Sequence, residues 1–201
     1  MSTAVENDDL VLELDAGESA GIALFAGGTT GLVLLDSTGD WEAFWTSLGE
    51  RAEGEGLSAL GFAGSVPGDP ADAAVRAAHL LQRLGADQLV IAAAGADAAA
   101  ALRAAGTGTF AALALVDPAI PDDELEPLLE EAPMPKLVLV VDGDAQAGAI
   151  YRHAIGPTVI RHLPTPDARR EQGVLAGERA DLAEEAILGF TVGVCGDGRQ
   201  A

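Results

Sequence analysis

The sequence predicts an α/β protein whose core is a doubly wound, mostly parallel sheet of eight strands with an antiparallel N-terminal start. Three observations carry that expectation. Short apolar runs such as Leu32-Val33-Leu34-Leu35 and Leu137-Val138-Leu139-Val140-Val141 are unbroken by polar residues, as in strands covered on both faces. These runs alternate with helical patterns, which is the signature of βαβ units. The apolar mass is aliphatic: hydrophobic residues make up 49% of the chain and aromatic residues only 4%, so small side chains must do most of the helix-to-sheet packing.

Taken in order, Leu10 to Leu14 and Gly21 to Phe25 read as two short strands joined through Asp15-Ala16-Gly17-Glu18. A third strand, Gly31 to Leu35, follows the turn Gly27-Gly28-Thr29-Thr30. This glycine-rich turn precedes a strand and not a helix, so it places no helix N-terminus at a phosphate. Trp41, Phe44, Trp45 and Leu48 then fall at i, i+3, i+4 and i+7, one buried helical stripe, with Asp40 as its expected cap. Strand Leu57 to Phe62 leads through a Gly/Pro loop to a helix that starts at Pro70, is capped by Asp69 and ends at Gly85. Strand Gln88 to Ala93 precedes an Ala-rich helix from Asp97 to Ala105. Strand Phe110 to Val116 ends at Asp117-Pro118, and a helix spans Pro121 to Glu131. Strand Lys136 to Val141, a short helix Ala145 to His153, strand Thr158 to Leu163 and a last helix Glu178 to Phe190 complete the pattern. We expect one domain over residues 10–191, between a disordered acidic segment 1–9 and a flexible tail 192–201.

The formal net charge is −21, with Lys136 the sole lysine and one cysteine, Cys195. Such a surface repels nucleic acid and anionic membrane, so neither is an expected partner. Screening of self-repulsion at high ionic strength makes a halophilic source one expectation. A genome biased toward Ala, Gly, Arg and Asp is the other. A single cysteine excludes an internal disulfide, no apolar run reaches the roughly 20 residues of a membrane span, and the N-terminus lacks a basic n-region. Together these predict a cytoplasmic protein.

Several segments, in order and spacing, resemble the α/β-hydrolase fold superfamily over Leu10 to Phe190. Asp69-Pro70-Ala71-Asp72 opening a helix, then Leu84-Gly85-Ala86-Asp87-Gln88-Leu89-Val90-Ile91, is similar to the helix and strand before that family's nucleophile. Leu115-Val116-Asp117-Pro118 is similar to the end of the next strand, and Leu137 to Asp144 to the strand whose exit carries the catalytic acid. No residues remain for a substantial cap domain. The family's nucleophile elbow reads Gly-x-Ser-x-Gly. Aligned on that pattern, the nucleophile falls on Gly95, between Ala93 and Asp97, and glycine has nothing to attack with. The segment after the last strand, Leu163 to Arg170, contains no histidine to act as base, and Asp36-Ser37 stands where the family has His-Gly. Only candidate acids survive, at Asp142, Asp144 or Asp117.

The resemblance therefore implies a hydrolase-like scaffold without hydrolytic activity, binding a small ligand or a protein partner. Its ligand-binding rim would comprise Asp36, Ser37, Gly95, Ala96, Asp117 and Asp142, with no cofactor and no metal; homo-oligomerisation is compatible with it. The alternative is a hydrolase of small esters or thioesters with a displaced site, using Ser37 or Asp97 with His162 and Asp142 or Asp144. Asp97 also has a structural reading, as the cap or first-turn acid of the helix that follows it. His79 reads as a surface residue, His153 as a cation at a helix end, Ser65 as a turn residue and Cys195 as incidental in a Gly-rich tail. Asp142-Gly143-Asp144 imitates a calcium loop but lacks its glycine at position six and its glutamate at position twelve.

Overall fold

The computed structural model describes residues 11–14, 17–141, 149–164 and 177–196. Eight strands form one sheet. β1 (Val11–Glu13) pairs antiparallel with β2 (Ser19–Phe25), and β2 pairs antiparallel with β4 (Ser58–Ala63). From β4 onward every pairing is parallel: β3 (Thr30–Leu35), β5 (Gln88–Ala94), β6 (Ala112–Val116), β7 (Lys136–Val141) and β8 (Thr158–Leu163). The order is β1-β2-β4-β3-β5-β6-β7-β8. Among the described residues there is no separate cap domain.

Helices cover both faces, which is why the central strands read as continuous apolar runs. On one face α1 (Glu42–Gly54) and α5 (Glu178–Gly196) bury Phe44, Trp45, Leu48 and Ile187 against Leu32, Leu34, Val90 and Val116. On the other, α2 (Pro70–Arg83), α3 (Ala98–Gly106) and α4 (Asp122–Glu131) pack Ala74, Ala78, Leu102 and Leu129 against Val33, Leu35, Ile91 and Leu113. Alternate strand residues thus feed opposite layers. Alanine on α2 and α3 lets those helices lie close to the sheet without large aromatic side chains.

Local signals decide the helix starts differently. Asp69 caps α2 as expected, its carboxylate accepting the Ala71 amide at 2.8 Å with Pro70 opening the helix. Asp40 does not cap α1; its carboxylate accepts the Thr38 hydroxyl at 2.9 Å. Asp36 takes that organising role, accepting the amides of Gly39 at 2.8 Å and Trp41 at 2.9 Å. The turn at Gly27 is forced by crowding, since a Cβ there would overlap the Leu57 carbonyl.

One further expectation is corrected, and another falls partly outside the described residues. The last helix continues past Phe190 to Gly196, because Thr191 and Cys195 are buried on its inner side and extend the stripe into the expected tail. Cys195 accordingly packs in the core, where burial pushes its thiol pKa up. Between β7 and β8 the structure describes a single 3-10 turn, Ile150–His153; the expected helical residues 145–148 lie outside the described residues.

Two buried charges are held in different ways. Glu184 of α5, 2% exposed, accepts from Arg51 of α1 at 2.7 Å, which ties the two helices of one layer together and raises the arginine's pKa. Lys136 is fully buried at the start of β7, and its ammonium donates to the carbonyls of Met134 at 3.0 Å and Ile155 at 2.7 Å. Burial lowers its pKa from 10.5.

Candidate functional site

In open α/β sheets, sites form at the carboxyl ends of the strands, and that rim is where the residues picked out from the sequence gather. β5 ends at Ala94 and passes directly into a 3-10 turn, Gly95–Asp97, from which α3 begins at Ala98. Gly95 is the first residue beyond the strand and has φ +54°. This is a sharp strand-to-helix turn with a left-handed residue at its apex, the geometry that holds an exposed nucleophile in an elbow. A Cβ at Gly95 would sit 3.8 Å from both Cζ2 and Nε1 of Trp41, ordinary van der Waals contact. The Trp41 indole therefore lies beside the apex, with room left for a side chain.

The strand order makes β3 and β5 neighbours, with Leu35 opposite Ala93. Their exits are consequently adjacent, and Ser37 meets Asp97 there. The Ser37 hydroxyl donates to one carboxylate oxygen of Asp97 at 2.5 Å, and the Ser37 amide donates to the other at 2.8 Å. Asp97 is only 7% exposed. Asp97 stands at the N-cap position of α3, as its structural reading expects, but its side chain makes no capping bond: the carboxylate faces back across the rim to the β3 loop. The same loop is braced from below by Asp36, which is fully buried. Two carboxylates thus fix the β3–α1 connection, Asp97 through Ser37 and Asp36 through Gly39 and Trp41.

Across the sheet, Asp117 at the exit of β6 has φ +44°, the one left-handed non-glycine among the described residues. Its amide donates to the Leu139 carbonyl at 2.8 Å, and the Ala119 amide donates to the Gly95 carbonyl at 2.9 Å, so the β6 exit is bonded to the elbow. Asp36, Ser37, Gly95, Ala96 and Asp117 accordingly sit on one continuous stretch of rim. Ala96 is exposed, Ser37, Gly95 and Asp117 half-buried. Asp142 and Asp144 lie outside the described residues.

His162 is on β8, opposite Val140 of β7, and is exposed. Three strand spacings separate β8 from β5, roughly 14 Å at about 4.8 Å per step. The structure therefore brings Ser37 and Asp97 together and leaves the strand bearing His162 away from both. His79 and Ser65 are exposed, on α2 and in a loop, and His153 is exposed at the end of the 3-10 turn. No group of three or more His, Cys, Asp or Glu side chains able to hold a metal occurs among the described residues.

Sequence reading alone did not find the bracing role of Asp36 or the position of Trp41 beside Gly95. For Asp36 a signal existed: Asp36-Ser37-Thr38-Gly39 has the composition of a turn in which the aspartate side chain accepts downstream amides. For Trp41 there was none, since helical spacing assigns it to the buried stripe with Phe44, Trp45 and Leu48.

No protein-family model matches the chain, and no curated protein matches it in sequence. Solved structures do match it in fold. Est1E from Butyrivibrio proteoclasticus, with ferulic acid bound, aligns with a TM-score of 0.72 at 12% identity, over 94% of this chain and 100% of that one. An α/β serine hydrolase homologue from Coxiella burnetii aligns at 0.67 and 16%, over 94% and 100%. XC6422 from Xanthomonas campestris, an α/β serine hydrolase without a lid, aligns at 0.65 and 18%, over 91% and 92%. At these identities the likeness is one of fold. No helix among the described residues is long and apolar enough to cross a membrane. Strand order, helices on both faces and these likenesses agree that the chain has the α/β-hydrolase fold.

Proposed function

We propose that this protein keeps the α/β-hydrolase frame without hydrolysing esters, and acts as a cytoplasmic binding module for a small ligand or a protein partner at the carboxyl rim. The observation that carries the reading is Gly95, a residue without a side chain at the apex of an elbow-shaped turn with φ +54°. Acyl transfer on this scaffold needs a nucleophile there, a base in reach and an acid that orients the base. The Ser37–Asp97 contact supports the same reading. In this scaffold the β3 loop supplies an amide to the developing oxyanion. Here the Ser37 amide donates to a carboxylate instead. A negative charge beside that position opposes the charge that acyl transfer builds up.

A second reading keeps hydrolysis of short esters or thioesters with a displaced site, and one observation favours it: a serine hydroxyl 2.5 Å from a buried carboxylate. Against it stands the strand order, in which β8, the strand of His162, is three places from β5 and four from β3. Incubation with p-nitrophenyl acetate and butyrate, a short acyl thioester and a serine-directed fluorophosphonate decides between the two. The expected result is no turnover above background and no phosphonate adduct. Turnover or labelling abolished by both Ser37→Ala and Asp97→Asn would establish the displaced site and overturn the binding-module reading.

A further inference from the structure

The far edge of the sheet carries a feature that the rim does not explain. β1 is an edge strand: among the described residues it pairs only with β2, through Val11↔Gly21, Leu12↔Ala20 and Glu13↔Ser19. Between β1 and α2 runs a groove of about 460 Å³, lined by Val11, Leu12 and Glu13 on the strand and by Arg76, His79, Leu80 and Arg83 on the helix. Positions 76, 79 and 83 share one helical face at i, i+3 and i+7. His79 and Arg83 are exposed and Arg76 is half-buried. In a chain with 32 acidic and 11 Lys or Arg residues, two arginines on one helical face run against the average surface. Apolar surface flanks that face, with Val11 57% exposed on the strand and Leu84 59% exposed just past the helix.

We infer that this edge receives an extended acidic segment of a partner protein, added as a strand beside β1. An edge strand offers backbone donors and acceptors to an incoming strand, and side-chain pockets set which sequence is taken. Leu12 is buried in the layer that holds α2, whereas Val11 and Glu13 are exposed on either side of it, and side chains alternate between the two faces along a strand. On an added strand, every second side chain would therefore lie on the α2 side, facing His79 and Arg83, and the intervening ones beside Val11. The preferred segment alternates acidic with apolar residues. A nucleic acid shares the anionic chemistry but has no peptide N–H and C=O groups to pair with β1. The groove is four strands from β5 in the sheet order, so this inference stands whether or not the rim hydrolyses esters.

The test uses the full chain and a fluorescein-labelled peptide of alternating Val and Glu, followed by fluorescence anisotropy at the lowest salt that keeps a native circular-dichroism spectrum. Saturable binding is expected below ~1 mM, weakening as salt rises. Making this helical face acidic in the double variant His79→Glu/Arg83→Glu should weaken it roughly tenfold or more, with unchanged melting confirming the fold. Val11→Lys, which leaves that face intact, should weaken it less. No saturation, equal binding by the double variant, equal binding of a Val/Lys peptide, or tighter binding of a single-stranded oligonucleotide would each overturn the inference.

Discussion

Ser37 and Asp97 are 60 residues apart in the chain, yet the hydroxyl and amide of the first both donate to the carboxylate of the second, at 2.5 and 2.8 Å. The pair joins the exits of β3 and β5. Asp97→Ala would leave the Ser37 amide and hydroxyl without their acceptor at a half-buried site, a loss of about 1–3 kcal/mol. Ser37→Ala removes only the hydroxyl bond and should cost less. Urea unfolding of both variants checks the ranking.

Gly95→Ser tests the elbow itself. The left-handed backbone at +54° penalises a side chain by about 1–2 kcal/mol, and the 3.8 Å clearance from Trp41 adds no clash. The variant should fold with a melting point lower by a few degrees, roughly 2–4 °C per kcal/mol at this size. Esterase activity should stay at background, because on the proposed reading a restored hydroxyl has no base in reach. Turnover by this variant would reveal a proton acceptor at the rim.

The Arg51–Glu184 pair joins α1 to α5. Arg51→Ala leaves Glu184, 2% exposed, buried and unpaired. The arginine side chain is 40% exposed, so solvent screens part of the interaction and the expected cost is about 1–2 kcal/mol. Arg51→Ala/Glu184→Leu, which replaces the charge by an apolar side chain, should recover most of the loss in thermal melts.

Lys136 makes a pH prediction. Burial lowers its folded pKa below 10.5, so the unfolded state binds more protons between the folded value and 10.5. Stability due to this residue therefore rises with pH through that window and is depressed below it. Urea midpoints of wild type against Lys136→Met should converge or cross in favour of wild type as pH approaches 10.5. As the sole lysine, and fully buried, Lys136 should also resist an N-hydroxysuccinimide ester until global unfolding.

A net charge of −21 predicts stabilisation by salt. The Debye length falls from about 10 Å at 0.1 M to about 3 Å at 1 M, relieving surface repulsion. The melting temperature should rise between 0.1 and 2 M KCl. A flat or falling profile would favour compositional bias over a halophilic origin.

The sheet was legible because its central strands are covered on both faces, so Leu32–Leu35 and Leu137–Val141 admit no polar residue, and the stripe Phe44, Trp45, Leu48 has one reading. Asp69 was legible as a cap because capping is local, two residues from donor to acceptor. Asp40 misled for a related reason: Asp36, slightly further back, competes for the same amides, and composition does not rank the two.

The sequence by itself determined the layered α/β architecture and the residue at the elbow's apex, since periodicity, helix capping and the absence of a side chain at Gly95 are properties of short stretches of chain. Only the tertiary structure decided what Asp97 does and how far His162 lies from it. Those depend on strand order, which sets β3 against β5 and holds β8 three places away through contacts between segments far apart along the chain.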